Sequence, residues 1–204
     1  MAVRILYRVG PMKNYVIFVA GISASGKTQF ARYLSTMLQI PLLCKDMVKE
    51  KIWDKVQYDP NVREESIKYG SLAYDISYAV AEELMKVGTP FVFESNFCSV
   101  SAEMLRPLVE TYRYTTVTVL LDADVEVLYQ RFIARETTPE RHPGLRSNGY
   151  YTDRAVFVEA AEKFRHFRMG ENHLTVDTTD FATVNYVELL EKVQQILYLQ
   201  KPMV

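Results

Sequence analysis

The most constraining feature of the sequence is the segment GISASGKT at residues 21–28. It has the form GxxxxGK[ST], the Walker A pattern of phosphate-binding loops. Its glycines let the backbone wrap closely with the N–H groups pointing inward, and the following helix adds free amides and the positive end of its dipole. The segment lies between an apolar run and an amphipathic stretch, as this loop requires. It therefore predicts a nucleotide phosphate site; the alternative is a glycine-rich turn with an incidental lysine.

Each side chain at the end of this loop has a predicted chemical task. The ammonium group of Lys27 is expected to reach the β- and γ-phosphates, and the hydroxyl of Thr28 is expected to coordinate Mg²⁺. Lys27 is therefore a catalytic candidate and Thr28 a metal-ligand candidate. The residues predicted to contact the nucleotide are Gly21, Ser23, Ala24, Ser25, Gly26, Lys27 and Thr28.

Short apolar runs alternate with longer amphipathic stretches along the chain, which is typical of a parallel sheet covered by helices on both faces. Strands are predicted at 15–20, 40–44, 91–94, 115–121 and 174–176, and helices at 27–39, 46–58, 64–87, 100–112, 124–135, 152–169 and 181–199. The apolar residues of the helix at 64–87 are expected to face the core. They are Ala73, Ile76, Val80, Leu84 and Val87.

Composition excludes several classes of protein. Hydrophobic residues make up 49% of the 204 residues and charged residues 24%, as in ordinary globular proteins. The net charge of −1 gives no reason to expect a nucleic-acid partner, although it does not exclude one. The longest apolar run, 15–22, is too short to span a membrane. Cys44 and Cys98 are expected to be free thiols in the cytoplasm.

The order of the elements predicts a simple domain organisation. Residues 1–13 are expected to form an N-terminal extension that breaks at a Gly-Pro pair, and 14–204 a single domain. No Asp is followed by Gly three residues later and no NKxD element occurs, which disfavours a regulatory GTPase. The length also argues against larger motor or AAA-type ATPases.

Beyond the loop, the sequence resembles the P-loop kinases of the adenylate, shikimate and gluconate kinase type. The resemblance rests on the strand FVFE, which ends at Glu94, and on LLDADVEVLYQRFIARE, which contains Arg131 and Arg135 and precedes a polar loop. The sequence is similar to the small ATP-binding kinase-like group that includes chloramphenicol phosphotransferase, zeta-toxin kinases and the kinase domain of polynucleotide kinase. The likeness covers 14–199, and only the Walker A segment is highly specific.

The resemblance implies a three-layer α/β P-loop NTPase fold with a five-stranded parallel sheet in the order 2-3-1-4-5. It also implies a mobile LID segment at about residues 136–151, and ATP with Mg²⁺ as the ligands. The activity that it implies is transfer of the γ-phosphate of ATP to a hydroxyl of a small-molecule or nucleoside-like acceptor. Two alternatives stay open, a polynucleotide 5′-hydroxyl kinase and an ATP-binding regulator that phosphorylates no acceptor.

Two acidic residues are candidates for the catalytic centre. Asp46 follows the second strand, where kinases of this group place an acidic residue that accepts the proton of the attacking hydroxyl; the alternative is a helix N-cap. Glu94 ends an apolar strand in the Walker B pattern and is expected to hold Mg²⁺ through water. The segment with Asp122 also fits that pattern, but the chain order favours Glu94. The alternatives for Glu94 are contact with the acceptor or a solvated acid at a strand end.

Arginines near the predicted LID are expected to act on phosphate charge. Arg131 and Arg135 lie four residues apart on one helix and are expected to neutralise developing charge or to stack on adenine. Arg141 lies in the LID and is expected to close onto ATP. The alternative for all three is a solvated surface with local ion pairs. The sequence does not identify the acceptor or the oligomeric state.

Overall fold

The computed structural model describes residues 14–59, 62–147 and 149–199. Five parallel strands form one sheet in the order β2-β3-β1-β4-β5. The α/β class and the strand order are confirmed, whereas the predicted extension at 1–13 lies outside the described residues. The strands are β1 (Tyr15–Ala20), β2 (Leu42–Cys44), β3 (Phe91–Glu94), β4 (Thr115–Asp122) and β5 (His173–Asp177).

Helices cover both faces of the sheet, as predicted. Helices α1 and α7 pack on one face, α3 and α4 pack on the other, and α5 packs against α6 beside the Walker A loop. None of the helices in the described part of the chain is both long and apolar enough to span a membrane. The helices are α1 (Lys27–Leu38), α2 (Lys45–Val56), α3 (Arg63–Lys86), α4 (Ser99–Thr111), α5 (Val125–Glu136), α6 (Arg154–Arg165) and α7 (Tyr186–Leu199).

Strand β1 lies at the centre of the sheet because it is apolar on both faces. All six of its residues are buried, and it pairs with β3 on one side and β4 on the other. In this register Val19 lies opposite Glu94. The ring of Phe18 packs against Phe97 at a centroid distance of 5.6 Å and against Phe167 at 5.8 Å. The Walker A loop and Glu94 therefore leave the same edge of a rigid core.

The buried face of α3 differs from the face that its apolar pattern predicts. Ile76 and Val80 are 39% and 42% exposed, and Val87, just past the helix, is 75% exposed. The hydroxyl of Ser77 donates to the carbonyl of Ala73, which satisfies the buried serine. Small side chains let the helix lie close to the sheet, which moves the contact face by one residue. The buried residues of α3 are Ala73, Ser77, Ala81 and Met85.

The last helix begins five residues later than predicted, at Tyr186 rather than Phe181. The carboxylate of Asp180 accepts from the N–H of Ala182 and caps a short 3-10 segment, Phe181–Thr183. The side chain of Asn185 then accepts from the first amides of α7. Two successive caps therefore divide what the apolar periodicity indicates as one helix.

Candidate active site

The Walker A loop has the backbone geometry of an anion-binding site. Gly21, Ala24 and Gly26 have φ angles of 145°, 69° and 84°. A Cβ atom at Gly21 would lie 2.4 Å from the carbonyl oxygen of Leu121, and one at Gly26 would lie 2.8 Å from the ring of Phe181. Glycine is therefore required at both positions. No side chain of the described residues caps α1, so the amides at its start remain available to phosphate.

Lys27 lies at the bottom of this loop and is 6% exposed. Its Nζ donates to the carbonyl of Ile22 at 3.3 Å and lies 3.8 Å from Oε1 of Glu94. Burial lowers the pKa of Lys27, and the nearby carboxylate of Glu94 acts in the opposite direction. Phosphate oxygens bound in the loop would supply the further negative charge that this buried ammonium group lacks.

Glu94 is 1% exposed, so the interpretation as a solvated acid at a strand end is wrong. Its Oε2 accepts from the hydroxyl of Thr28 at 3.2 Å and from the thiol of Cys44 at 2.8 Å. Burial and the charge of Glu94 raise the pKa of the Cys44 thiol, which keeps it protonated as a donor. Oε1 of Glu94 is buried and has no hydrogen-bond partner among the described residues. A hydroxyl and an incompletely bonded carboxylate are hard oxygen donors, so these residues fit Mg²⁺.

Asp46 is not a helix N-cap, because Cys44 occupies that position and Asp46 lies in the first turn of α2. Its Oδ1 accepts from Nζ of Lys45 at 2.5 Å. Burial alone would raise the pKa of Asp46, but the charges of Lys45, Lys27 and Arg141 outweigh it and hold the pKa well below its usual range. Asp46 is therefore a carboxylate at neutral pH. A charged acid lies where the sequence predicts the acceptor.

Arg135 is directed toward the same group of charges. Its Nε is buried and has no hydrogen-bond partner among the described residues. Burial and the charge of Arg141 lower the pKa of Arg135, whereas Asp46 and Glu94 act in the opposite direction. An arginine with an unused buried donor next to the phosphate loop fits the predicted role in neutralising phosphate charge.

Arg131 lies elsewhere, although it is only one helical turn from Arg135. Its guanidinium group donates to the carbonyls of Thr178 and Thr179 at 2.7 and 2.8 Å and stacks 3.9 Å from the ring centre of Phe181. That ring in turn lies against Gly26. Arg131 therefore holds the segment after β5 against the Walker A loop, and its predicted catalytic role stays a prediction.

The predicted LID connects α5 to α6 over residues 137–153, of which Asn148 lies outside the described residues. The carboxylate of Glu136, the last residue of α5, bonds to two residues of the LID. Its Oε1 accepts from Nε of Arg141 at 3.0 Å, and its Oε2 accepts from the N–H of Ser147 at 2.7 Å. Arg141 also donates to the carbonyl of Leu145. These bonds fold the LID into a compact loop and direct Arg141 toward Asp46.

The LID docks on α2 through Gly144. The hydroxyl of Tyr58 donates to the carbonyl of Gly144 at 3.0 Å, and the glycine lies directly against Trp53. Nδ1 of His142 accepts from the N–H of Gly144, so in the neutral ring Nε2 carries the hydrogen and donates to Asp54 at 3.1 Å. These contacts dock the LID on α2 and on Tyr58 just after it.

We expect Gly144→Ala to displace the LID from α2. The new Cβ would lie 2.6 Å from Cβ of Trp53, and overpacking of this kind costs about 1–3 kcal/mol. The closed form would therefore lose about one to two orders of magnitude in population. Trp53 is the only tryptophan in the chain, so its fluorescence reports undocking directly. Gly70→Ala is the matched control because a Cβ there meets no atom within 4 Å; unchanged fluorescence in Gly144→Ala would contradict LID docking.

A cavity of about 290 Å³ extends from the Walker A loop between α2, α3 and the LID. Ser23 of the Walker A loop lines it, and so do Asp46 of α2 and Arg141 of the LID. This volume fits a small organic molecule. The other residues that line the cavity are Lys45, Lys49, Arg63, Ser66, Ile67, Tyr74, Asn96, Phe132, Leu145, Arg146, Ser147, Tyr150, Tyr151 and Phe164.

Sequence reasoning missed several residues of this site. Lys45 precedes Asp46 directly, and Lys49 follows one helical turn after Lys45, so a KDxxK pattern was available as a signal. Arg63 and Tyr150 are separated by more than 80 residues and meet only in the folded chain. No local pattern indicates such a contact.

Comparisons with known proteins agree with this geometry. A family model described as an AAA domain (AAA_33) matches residues 16–147, which is more than half of the chain. The length of the chain argued against larger AAA-type ATPases. That argument excludes only large proteins of this class, because the matched AAA domain is short enough to fit within the chain. A comparison with curated proteins finds no match.

Solved structures resemble the chain over nearly its whole length. A protein from Chloroflexus aurantiacus J-10-fl, described as a "putative kinase", is 28% identical with a TM-score of 0.80, and the match covers 90% of this chain and 98% of that one. Shikimate kinase from Bacteroides thetaiotaomicron is 17% identical with a TM-score of 0.58, covering 90% and 98%. A gluconokinase from Sinorhizobium meliloti 1021 is 15% identical with a TM-score of 0.56, covering 93% and 98%. The chain therefore belongs to the AAA_33 family and has the fold of the small P-loop kinases.

Proposed function

We propose that the protein is a Mg²⁺- and ATP-dependent kinase that transfers the γ-phosphate to a hydroxyl of a small molecule bound in the cavity. The observation that carries the proposal is that one cavity is lined both by Ser23 of the Walker A loop and by the ionised Asp46. The predicted phosphate loop and a carboxylate thus border the same cavity. The free thiols of Cys44 and Cys98 support a cytoplasmic location.

Positioning and charge stabilisation do most of the work in phosphoryl transfer, and the chain supplies both. The loop amides and the ammonium of Lys27 hold the phosphates. Arg135 and Arg141 approach from the LID side and balance the charge that develops on the transferred group. Closure of the LID onto α2 excludes water, which would otherwise compete with the acceptor for the phosphate.

Asp46 orients the acceptor hydroxyl and takes its proton. Its depressed pKa makes it a weak base, so in this proposal it accepts a hydrogen bond from the hydroxyl first and the proton only late in the transfer. Lys45, bonded to Asp46 at 2.5 Å, keeps the carboxylate ionised and fixes its direction. The arrangement therefore favours in-line alignment over strong base catalysis.

Thr28 and Glu94 are the residues that would hold Mg²⁺, directly and through water respectively. When bound there, the ion would neutralise phosphate charge. The buried carboxylate of Glu94 lies 3.8 Å from the ammonium group of Lys27 and accepts from the hydroxyl of Thr28. The same carboxylate thus fixes the ammonium and the hydroxyl that face the phosphates.

We expect Glu94→Gln to lower Mg²⁺ affinity and turnover by about 10- to 100-fold, since loss of a partner that orients a metal site has an effect of this size. The amide keeps the shape and can still accept from Thr28, so the fold should persist. A magnesium titration of ADP release measures the effect, with Asp122→Asn as the control at the other candidate acid, which pairs with Arg165. An unchanged magnesium dependence in Glu94→Gln would assign the metal elsewhere.

A panel of hydroxyl-bearing metabolites and antibiotics, assayed for acceptor-stimulated ADP release, tests the proposed function. We expect at least one member to stimulate release and to gain a phosphate, detected by its mass. The enzyme without acceptor gives the background rate. If ATP binds but no acceptor raises that rate, the proposal loses to an ATP-binding regulator.

A further inference from the structure

We infer that the acceptor carries a negatively charged group, a phosphate ester or a carboxylate, bound in the cavity by Lys49, Arg63 and Arg146. This inference rests on the proposed kinase function, because it specifies the substrate of the same site. It concerns side chains on α2, α3 and the LID that the phosphate-transfer chemistry itself does not use.

The cavity has a large excess of positive charge. Its ionisable acid is Asp46, whereas its cationic side chains number five. Two of the five are neutralised within the protein, Lys45 by Asp46 and Arg141 by Glu136. The remaining three have no carboxylate partner in the described part of the chain. They are Lys49, Arg63 and Arg146.

Lys49 is the most constrained of these cations. It is only partly exposed, and Nζ donates to the hydroxyl of Ser66 at 3.1 Å, its one hydrogen bond to the described residues. Burial, together with the charges of Lys45 and Arg141, lowers its pKa to about 8, although the charge of Asp46 acts in the opposite direction. A partly buried ammonium without a carboxylate partner among the described residues is electrostatically unfavourable, and a bound anion would remove that cost.

Arg63 is held in an orientation that suits an anion. Its guanidinium group stacks on the ring of Tyr150, 3.7 Å from the ring centre. Stacking uses the face of the guanidinium and leaves the N–H groups at its edge to donate in the plane, the geometry that carboxylates and phosphates accept. Arg63 begins α3 and Tyr150 belongs to the LID, so LID closure and anion binding would favour each other.

These cations are placed for the acceptor rather than for ATP. Lys27, Thr28 and Glu94 surround the phosphate end and do not line the cavity. Lys49 and Arg63 belong to α2 and α3. The charge of Lys27 acts on Asp46 but is not among those that act on Lys49, whereas Asp46 acts on both lysines. A molecule that presents its hydroxyl to Asp46 would extend its other end toward Lys49 and Arg63.

The first test measures binding of inorganic phosphate and of acetate by calorimetry. The enzyme is first saturated with Mg²⁺ and a non-hydrolysable ATP analogue, so that the Walker A loop is filled. We expect one further anion to bind, at least about tenfold more weakly in Lys49→Gln and Arg63→Gln. Preference for phosphate or for acetate identifies the class of anion. Lys192→Gln, which removes an exposed cation paired with Glu188 on α7, should bind like the wild type.

The second test compares matched acceptors, a sugar acid with its neutral sugar and a nucleoside 3′-phosphate with its nucleoside. The anionic member of a pair should have a kcat/KM at least about tenfold higher, and Lys49→Gln should remove that preference. Equal use of neutral acceptors, anion binding unchanged in the variants, or an equal loss of ATP-analogue affinity in Lys49→Gln would each overturn the inference. Anion binding that depends on Lys49 without turnover of any acceptor would instead support the anion site and refute the kinase proposal.

Discussion

Replacement of Lys27 by alanine is expected to remove measurable ATP binding and to lower acceptor-dependent turnover by about 10²- to 10³-fold or more. The ammonium group is buried at the bottom of the Walker A loop, where it lies 3.8 Å from Glu94 and has few solvent contacts. Its interaction with phosphate takes place where water screens it little. Calorimetry with an ATP analogue measures the loss of binding, and ADP release measures the loss of turnover.

Loss of folding must be separated from loss of binding in this experiment. Lys27→Ala leaves the buried Glu94 without its neighbouring cation, and an unpaired buried charge is destabilising. A Lys27→Met, Glu94→Gln double variant removes both charges and should regain the thermal stability without regaining ATP binding. If Lys27→Ala binds and turns over ATP like the wild type, the proposed nucleotide site is wrong.

Replacement of Asp46 by asparagine is expected to lower acceptor-dependent turnover by about 10²- to 10⁴-fold, while ATP affinity stays within a few-fold of the wild type. The amide fills the same space but carries no charge and cannot take the proton of the hydroxyl. Its effect should therefore appear in kcat with acceptor and not in nucleotide binding. This split between the two measurements distinguishes a kinase from an ATP-binding regulator, for which Asp46 would be dispensable.

The pKa of Asp46 adds a pH signature to this prediction. Because Lys45, Lys27 and Arg141 hold that pKa well below its usual range, Asp46 should not limit turnover between about pH 5 and pH 8. Its contribution to stability is present above the unfolded pKa of about 4 and is lost only as the pH falls toward the lower folded value. Lys45→Met should raise the pKa of Asp46 and move the acid limb of the rate profile upward. An acid limb unmoved in Lys45→Met would show that another group titrates there.

Much of the scaffold was predictable because its signals are local. The bounds of β1 and β3 are the predicted ones, since continuous apolar β-branched and aromatic runs have few alternatives to a buried strand. The Walker A loop was equally clear, because its geometry depends on glycines and a lysine within eight residues. Strand order came from the family resemblance rather than from the pattern itself.

Periodicity failed where packing or capping overrode it. On α3 the large apolar residues Ile76 and Val80 are partly exposed, because small residues allow a closer contact with the sheet. At the end of the chain, the caps at Asp180 and Asn185 shorten the last helix. Apolar periodicity reports which residues prefer burial; it does not report how near two elements approach.

The residues of the candidate site also fall into two groups, those that local sequence patterns predicted and those that only tertiary contacts placed. By itself the sequence determined the anion-binding loop, the acid at the end of the neighbouring strand and an acid after the second strand, because each is defined by residues close together along the chain. Only the tertiary structure decided that Arg135 lies near the charges of Asp46 and Glu94, while Arg131 bonds to the carbonyl of Thr178. Likewise, only the tertiary structure showed that Arg63 stacks on Tyr150 in the lining of one cavity. Those directions depend on contacts between distant segments, whose free energy exists only once the core has formed.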